Sequence, residues 1–162
     1  MAVEQNVPTT AIHINYGQLA HQSERESASR IAKFLGLKIH ILDVALGNSF
    51  GGGEIIGRNL MLLSVGLTSG IIDRGKISFG IHSGTQYFDC SEYFFGQADK
   101  LVREISSDAV QLSAPLLKWS KAEIFGYALS KNIPIEITYS CESRSGTPCQ
   151  TCLSCLDRKE LC

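Results

Sequence analysis

Cys141, Cys149, Cys152 and Cys155 fall within residues 140–155, and the last three follow one another at two-residue gaps. Such spacing lets thiolate sulfurs converge on one tetrahedral ion at Zn–S distances near ~2.3 Å, so zinc is the first reading. Gly146 and Pro148 supply a turn that returns Cys141 to the other three. A bound ion deprotonates the thiols and contributes roughly 10–16 kcal/mol of order to a segment too short to hold itself. Two other readings of the same thiols stand beside it. Disulfides would need an oxidising compartment that nothing else in the sequence suggests, and an iron–sulfur cluster uses the same ligand type. Cys90 reads as a nucleophile or as a small buried apolar side chain, and Cys162 is terminal and uninformative.

The remaining composition narrows the classes. With 15 Lys plus Arg against 16 Asp plus Glu in 162 residues, there is no cationic excess to condense on a phosphate backbone, which argues against direct nucleic acid binding. A zinc-ribbon nucleic-acid binder would want basic and aromatic residues around the cysteines, where only Arg144, Arg158 and Lys159 stand. The first residues lack the order of a secretory signal and no run reaches the 18 apolar residues of a membrane span, so a cytoplasmic chain with no membrane association is expected. Gly47, Gly51, Gly52, Gly53 and Gly57 make residues 45–57 a glycine-rich loop. No Lys-Ser or Lys-Thr follows, so it is not read as a phosphate cradle.

Several elements must position these groups. Residues 11–16 read as a buried strand broken by Gly17, and 22–35 as an amphipathic helix stopped by Gly36. Residues 37–44 then read as a second strand, which completes a βαβ unit with parallel strands. A buried helix over 58–73, a strand over 76–82, a helix over 92–106 and a strand over 109–112 extended by 114–116 continue the alternation. Ser120-Lys121-Ala122-Glu123 has the form of a capping box opening a helix that Pro134 forbids from continuing. The expected fold class is α/β, an open parallel sheet with helices on both faces. One α/β domain over 1–162 is expected, with a four-cysteine zinc segment at 138–162. Such sheets bind ligands outside the carboxyl ends of their strands, here at residues 15–18, around Arg58 and over 83–90.

With those pieces in order, the chain resembles the 7-cyano-7-deazaguanine synthase family of queuosine biosynthesis, a group of N-type ATP pyrophosphatases. Asn15-Tyr16-Gly17-Gln18 is similar to the family's Asp-Tyr-Gly-Gln turn, and Gly57-Arg58-Asn59 to its Gly-Arg-Asn. Pro115-Leu116-Leu117 and Lys121-Ala122-Glu123 are similar to its Pro-Leu segment and helix start, and the four cysteines followed by Asp157-Arg158 to its zinc site. The resemblance implies a Rossmann-like, adenine nucleotide alpha hydrolase-like fold and an ATP-dependent carbon–nitrogen ligase. The reaction it implies activates the carboxylate of 7-carboxy-7-deazaguanine as an adenylate, with ATP and magnesium. Ammonia then gives the amide, and dehydration gives 7-cyano-7-deazaguanine. Zinc would be structural, because four thiolates leave no open coordination position. Arg58 would pair with phosphate or carboxylate through its guanidinium fork, unless it is an ordinary helix-start arginine, and Tyr16, Gln18, Asn59 and Asp89 would line the ligand.

Three departures accompany the resemblance. The family's Ser-Gly-Gly-x-Asp-Ser loop, the PP-loop that binds the ATP phosphates at a helix amino terminus, occurs nowhere in these 162 residues. The expectation is an amino-terminally truncated or split form, inactive alone, in which residues 3–8 are the tail of a lost helix. It would act as a homodimer or with a partner chain that supplies the loop. Asn15 replaces the usual aspartate, and the segment 83–90 is shorter than the family's acidic loop. These two changes leave room for an enzyme adenylating another carboxylate, and the first leaves room for a non-catalytic zinc-containing binding remnant. His82 reads equally as a participant or as a strand-end residue satisfied by a backbone bond.

Overall fold

A computed structural model describes residues 6–46, 50, 53–82 and 84–161. The expectations placed on residues 1–5, Gly47, Gly51, Gly52, Ser83 and Cys162 lie outside the described residues. The chain divides into two compact units, Met1–Gly53 with Ala128–Cys162, and Glu54–Tyr127.

In the first unit β1 (Thr10–Asn15) and β2 (Lys38–Asp43) run parallel, in register from Thr10 opposite Lys38 to Asn15 opposite Asp43. They are joined by α1 (His21–Phe34), which packs against both strands. The helix ends as its sequence dictates. Gly36 takes φ +66°, and the N–H groups of Gly36 and Leu37 donate to the carbonyls of Lys33 and Ala32 at 3.2 and 2.8 Å. These are the two bonds of a Schellman cap, which a glycine at that position makes without the Cβ penalty. β1 is only half-buried rather than buried, since among the described residues its sheet holds two strands.

In the second unit α2 (Arg58–Thr68) is followed by β3 (Gly75–Ser78), α3 (Glu92–Ile105) and β4 (Val110–Ser113), and β3 and β4 are again parallel. The core consists of Leu63 from α2, Phe94, Ala98 and Val102 from α3, and Val110 and Leu112 from β4. Residues 94, 98 and 102 recur every four positions and so line one helix face. Ser91 caps α3 by accepting the Phe94 N–H at 3.1 Å. The chain passes into the first unit within α4 (Lys121–Ser130), whose capping box forms as expected. The Ser120 N–H donates to Glu123 at 2.7 Å and the Glu123 N–H to the Ser120 hydroxyl at 3.3 Å. The first unit closes with α5 (Leu153–Leu161).

The expected α/β class with parallel strands and helices holds, and the described strands form two parallel pairs, one in each unit. Some bounds differ for local reasons. The helix expected over 58–73 stops at Thr68, ahead of Gly70 in the left-handed region at φ +70°, and Leu60 stands 46% exposed. The extension of β4 over 114–116 is instead a turn: Pro115 has no N–H to donate, and the Leu117 and Trp119 N–H groups bond back to Ala114 and Leu116. The third strand ends at Ser78, short of His82. Among the described residues no helix is long and apolar enough to cross a membrane.

Asp99 holds this second unit together in a way periodicity does not reveal. One carboxylate oxygen accepts the backbone N–H of Leu112 in β4 and the other the Arg103 guanidinium, both at 2.7 Å. Burial works against ionisation, but the bonds from Arg103 and Leu112 and the Arg103 charge outweigh it and hold the carboxyl below its usual range. Because the folded value is depressed, the stabilisation is present above the ordinary Asp range near ~3.9 and is lost as pH falls through the folded value. Asp99→Ala is expected to cost about 1–2 kcal/mol at neutral pH, chiefly through the orphaned Leu112 N–H, since the Arg103 side is screened by solvent. Urea unfolding at pH 7 and pH 3 checks this: the gap between native and variant should narrow at the lower pH.

Candidate functional site

The four cysteines meet. The Sγ atoms of Cys141, Cys149, Cys152 and Cys155 all lie within 4.8 Å of one another, and those of Cys149 and Cys155 are 3.9 Å apart. A tetrahedron of Zn–S bonds near ~2.3 Å has edges near ~3.8 Å, so the donor set fits a four-thiolate ion with small adjustment. Every described cysteine is a free thiol, which removes the disulfide reading for these four. Their chemistry points to a soft cation that closes its own coordination shell, and such an ion would brace the carboxyl-terminal segment rather than bind water or substrate.

Local backbone geometry explains how so short a stretch gathers the sulfurs. Gly146 at φ +79° and Gln150 at φ +64° turn the chain, and Cys152 opens α5, its carbonyl accepting the N–H groups of Cys155 and Leu156 at 3.0 Å. Several N–H groups point at sulfur: Cys149 at Cys141 at 3.4 Å, and Thr151 and Cys152 at Cys149 at 3.5 and 3.3 Å. Hydrogen bonds from the hydroxyl and N–H of Thr151, joined by the Cys152 N–H, push the Cys149 thiol down to about 5. Burial and the neighbouring thiols push Cys155 up to about 12. Burial opposes ionisation at Cys141 as well, yet the N–H groups of Cys149, Ser143 and Arg144 bring it below the ordinary value. A cation at its centre would supply the charge that favours all four thiolates.

Hydrogen bonds anchor the segment to the rest of its unit. The Arg158 fork donates to the Thr138 carbonyl and hydroxyl at 3.1 and 2.8 Å and to the Ile135 carbonyl at 2.7 Å. Ser145 donates to the Leu19 carbonyl at 3.2 Å, and the Gly146 N–H to the Ser23 hydroxyl at 2.8 Å. Leu19 belongs to a cavity of about 660 Å³ at the carboxyl ends of β1 and β2, which is also lined by Asn15, Tyr16, Gln18, Asp43 and Leu46.

Of the residues expected to bind ligand, Tyr16 and Gln18 lie in the first unit, at this cavity. Tyr16 is buried, with its ring edge-on to Phe50 at 5.8 Å. Gln18 is buried too, and its amide organises the turn. Its oxygen accepts the Tyr16 N–H at 2.9 Å, while its nitrogen donates to Glu24 at 2.8 Å and the Ile14 carbonyl at 3.3 Å. Arg58, Asn59 and Asp89 lie in the second unit, at the start of α2. Asp89 accepts the Asn59 N–H at 3.0 Å, and the Asn59 amide returns a bond to the Asp89 carbonyl at 2.9 Å. The carboxylate thus caps the helix next to Arg58, offsetting the dipole that disfavours a cation there. Cys90 is buried and receives the Asn59 amide at 3.7 Å, which suits the apolar reading of that thiol. His82 accepts the Gly84 N–H at 3.0 Å, a backbone bond as in one of its two readings, although it lies past the end of β3. Asp43, which the sequence reading does not single out, closes β2 at its carboxyl end and lines the same cavity.

Comparison with known proteins matches residues 54–161, more than half of the chain, to the family model described as queuosine biosynthesis protein QueC. A 7-cyano-7-deazaguanine synthase of Campylobacter jejuni subsp. jejuni serotype O:6 is 29% identical over 187 residues, covering 98% of this chain and 84% of that protein. The synthase of Pseudoalteromonas atlantica is 26% identical over 185 residues, covering 99% and 84%. That of Prochlorococcus marinus is 28% identical over 201 residues, covering 100% and 89%.

Proposed function

This chain belongs to the family of the queuosine biosynthesis protein QueC, and from that premise we propose that it serves an ATP-dependent carbon–nitrogen ligase. In this reading ATP converts the carboxylate of 7-carboxy-7-deazaguanine to an acyl-adenylate. Ammonia displaces the adenylate to give the amide, and loss of the elements of water gives the nitrile of 7-cyano-7-deazaguanine. The convergence of Cys141, Cys149, Cys152 and Cys155 inside the matched segment is the observation that carries it. Zinc there would supply structure alone, as a closed four-thiolate site does. The chain's own groups would bind and orient: Arg58, at the start of α2, presents a guanidinium suited to phosphate or the reacting carboxylate, while Tyr16 and Gln18 shape the turn at the β1–β2 cavity.

ATP with magnesium requires a phosphate cradle, and Ser-Gly-Gly-x-Asp-Ser occurs nowhere in the 162 residues. The loop therefore has to come from outside these residues, and the polypeptide they form is expected to leave ATP unchanged by itself. The test supplies 7-carboxy-7-deazaguanine, ATP, magnesium and ammonium to this polypeptide, alone and fused behind a strand, a Ser-Gly-Gly-x-Asp-Ser loop and a helix. Mass spectrometry should find AMP and the nitrile only with the fusion. AMP formed by the unfused chain would overturn the missing-cradle reading, and a folded fusion that makes no nitrile would overturn the proposed reaction. Asn15, in place of the family's aspartate, favours a second reading, adenylation of a different carboxylate. A fusion that consumes ATP with another acid but not with the deazaguanine would establish it.

A further inference from the structure

We propose that Cys149 is a site of reversible oxidation by hydrogen peroxide, at which a disulfide to Cys155 forms and the ion leaves the four-sulfur cluster. The proposal goes beyond the ligase reading and rests only on the bracing role of the ion. Access differs among the sulfurs. Cys141 and Cys155 are buried, whereas Cys149 is half-buried in a run whose neighbours Thr147, Pro148, Gln150 and Thr151 are exposed. Cys152 is half-buried too, but the hydroxyls gather at Cys149: those of Thr151 and Ser143 lie 3.5 and 3.7 Å from its Sγ. Both are placed to hydrogen-bond a peroxide seated on that sulfur and to support the oxygen that departs. The partner thiol is at hand. Cys155 Sγ lies 3.9 Å from Cys149 Sγ, against about 2.05 Å in a disulfide. Cys155 is held in α5 and Cys149 in the loop between Gly146 and Gln150, both at positive φ, so closing the gap moves a loop residue and leaves the helix in place.

The sulfurs are thiolates when they hold the ion. The Cys149 sulfur attacks one peroxide oxygen, the O–O bond breaks, and the departing hydroxide takes a proton from solvent to become water. Cys149 is then a sulfenic acid. The Cys155 thiolate attacks that sulfur, the S–S bond forms, the S–O bond breaks, and a second hydroxide leaves as water after protonation. Two thiolates, one peroxide and two protons thus give one disulfide and two waters, the sulfurs losing two electrons and the peroxide gaining them. Two thiolates remain, too few to close a tetrahedral shell, and the ion is released. The loop between Cys141 and Cys149 carries the change outward. Its Ser145 hydroxyl accepts the Ser23 N–H at 3.4 Å and its Gly146 N–H donates to the Ser23 hydroxyl at 2.8 Å, so loss of the Cys149 anchor loosens the first turn of α1. A dithiol reductant and fresh zinc restore the site, because a disulfide, unlike a sulfinic acid, is returned to thiols by exchange.

The experiment adds equimolar hydrogen peroxide to the reduced, zinc-loaded 162-residue chain. A colorimetric chelator follows the metal, and tandem mass spectrometry after differential alkylation locates the oxidised cysteines. The bound zinc should be released in full, Cys149 and Cys155 should be joined, and dithiothreitol with zinc should reverse both. Thr151→Val, which keeps the backbone N–H at Cys149, should hold zinc at the native stoichiometry and release it about 2- to 10-fold more slowly, the range one hydrogen bond covers. Zinc retained after the peroxide is consumed, a disulfide joining any other pair, or a Thr151→Val chain that reacts as fast as the native one would overturn the proposal. The ligase reading, tested by nitrile formation, would stand in each case.

Discussion

Removal of the metal from the reduced protein is expected to melt the segment from Thr138 through α5, with amide-exchange protection lost across it. The sulfur cluster is that segment's own core. Cys141 and Cys155 are its buried side chains, only 1% and 6% exposed, and apart from them it buries little apolar surface. Four thiolate bonds to one ion contribute roughly 10–16 kcal/mol in small four-ligand sites, far more than the few hydrogen bonds around these sulfurs, each worth about 1 kcal/mol. The loss should spread. Ser145 and Gly146 hold the Leu19 carbonyl and the Ser23 hydroxyl, so the start of α1 and one wall of the β1–β2 cavity should exchange faster as well. Residues 54–127 form a unit with a separate core and should keep their protection. Hydrogen exchange read by mass spectrometry before and after chelation checks all three regions, and uniform protection in both samples would contradict the bracing role.

Asp89→Ala should cost about 2–3 kcal/mol, a large loss for a polar side chain. The carboxylate is buried, caps α2 through the Asn59 N–H, and sits in a turn whose carbonyl takes the Asn59 amide. Truncation leaves a buried N–H without its charged acceptor, which costs more than the mean value of a hydrogen bond. Asp89→Asn keeps an acceptor oxygen and should lose only about 1 kcal/mol. For a chain of this length the Ala variant should melt roughly 4–10 °C below the native protein, read by calorimetry. Equal loss from the two variants would show that the acceptor is not what matters.

What could be read from the sequence was whatever is written in neighbouring residues. The Gly36 stop, the Ser120–Glu123 box and the three evenly spaced cysteines each encode their geometry within a few positions, and each forms as read. The interactions missed depend on register between distant segments. Asp43 meets Asn15 only because β1 and β2 pair in parallel from Thr10 and Lys38, and Asp99 reaches Leu112 only once α3 lies on β4. Gln18 and Asn59 read as ligand-facing from their place in short motifs. The structure shows both already engaged with protein partners, so they act first by fixing the turn and the helix start from which ligands would be met. Helix and strand ends shifted where a single residue decided the matter, as Pro115 did by withholding an N–H.

An ion held by the four sulfurs is the premise of the bracing role. Zinc absorption-edge spectroscopy, with elemental analysis, of the anaerobically purified chain should give one zinc per polypeptide surrounded by four sulfurs at about 2.3 Å. Protein that is folded and reduced yet holds no stoichiometric metal, or zinc found with nitrogen or oxygen in place of one of these sulfurs, would contradict it.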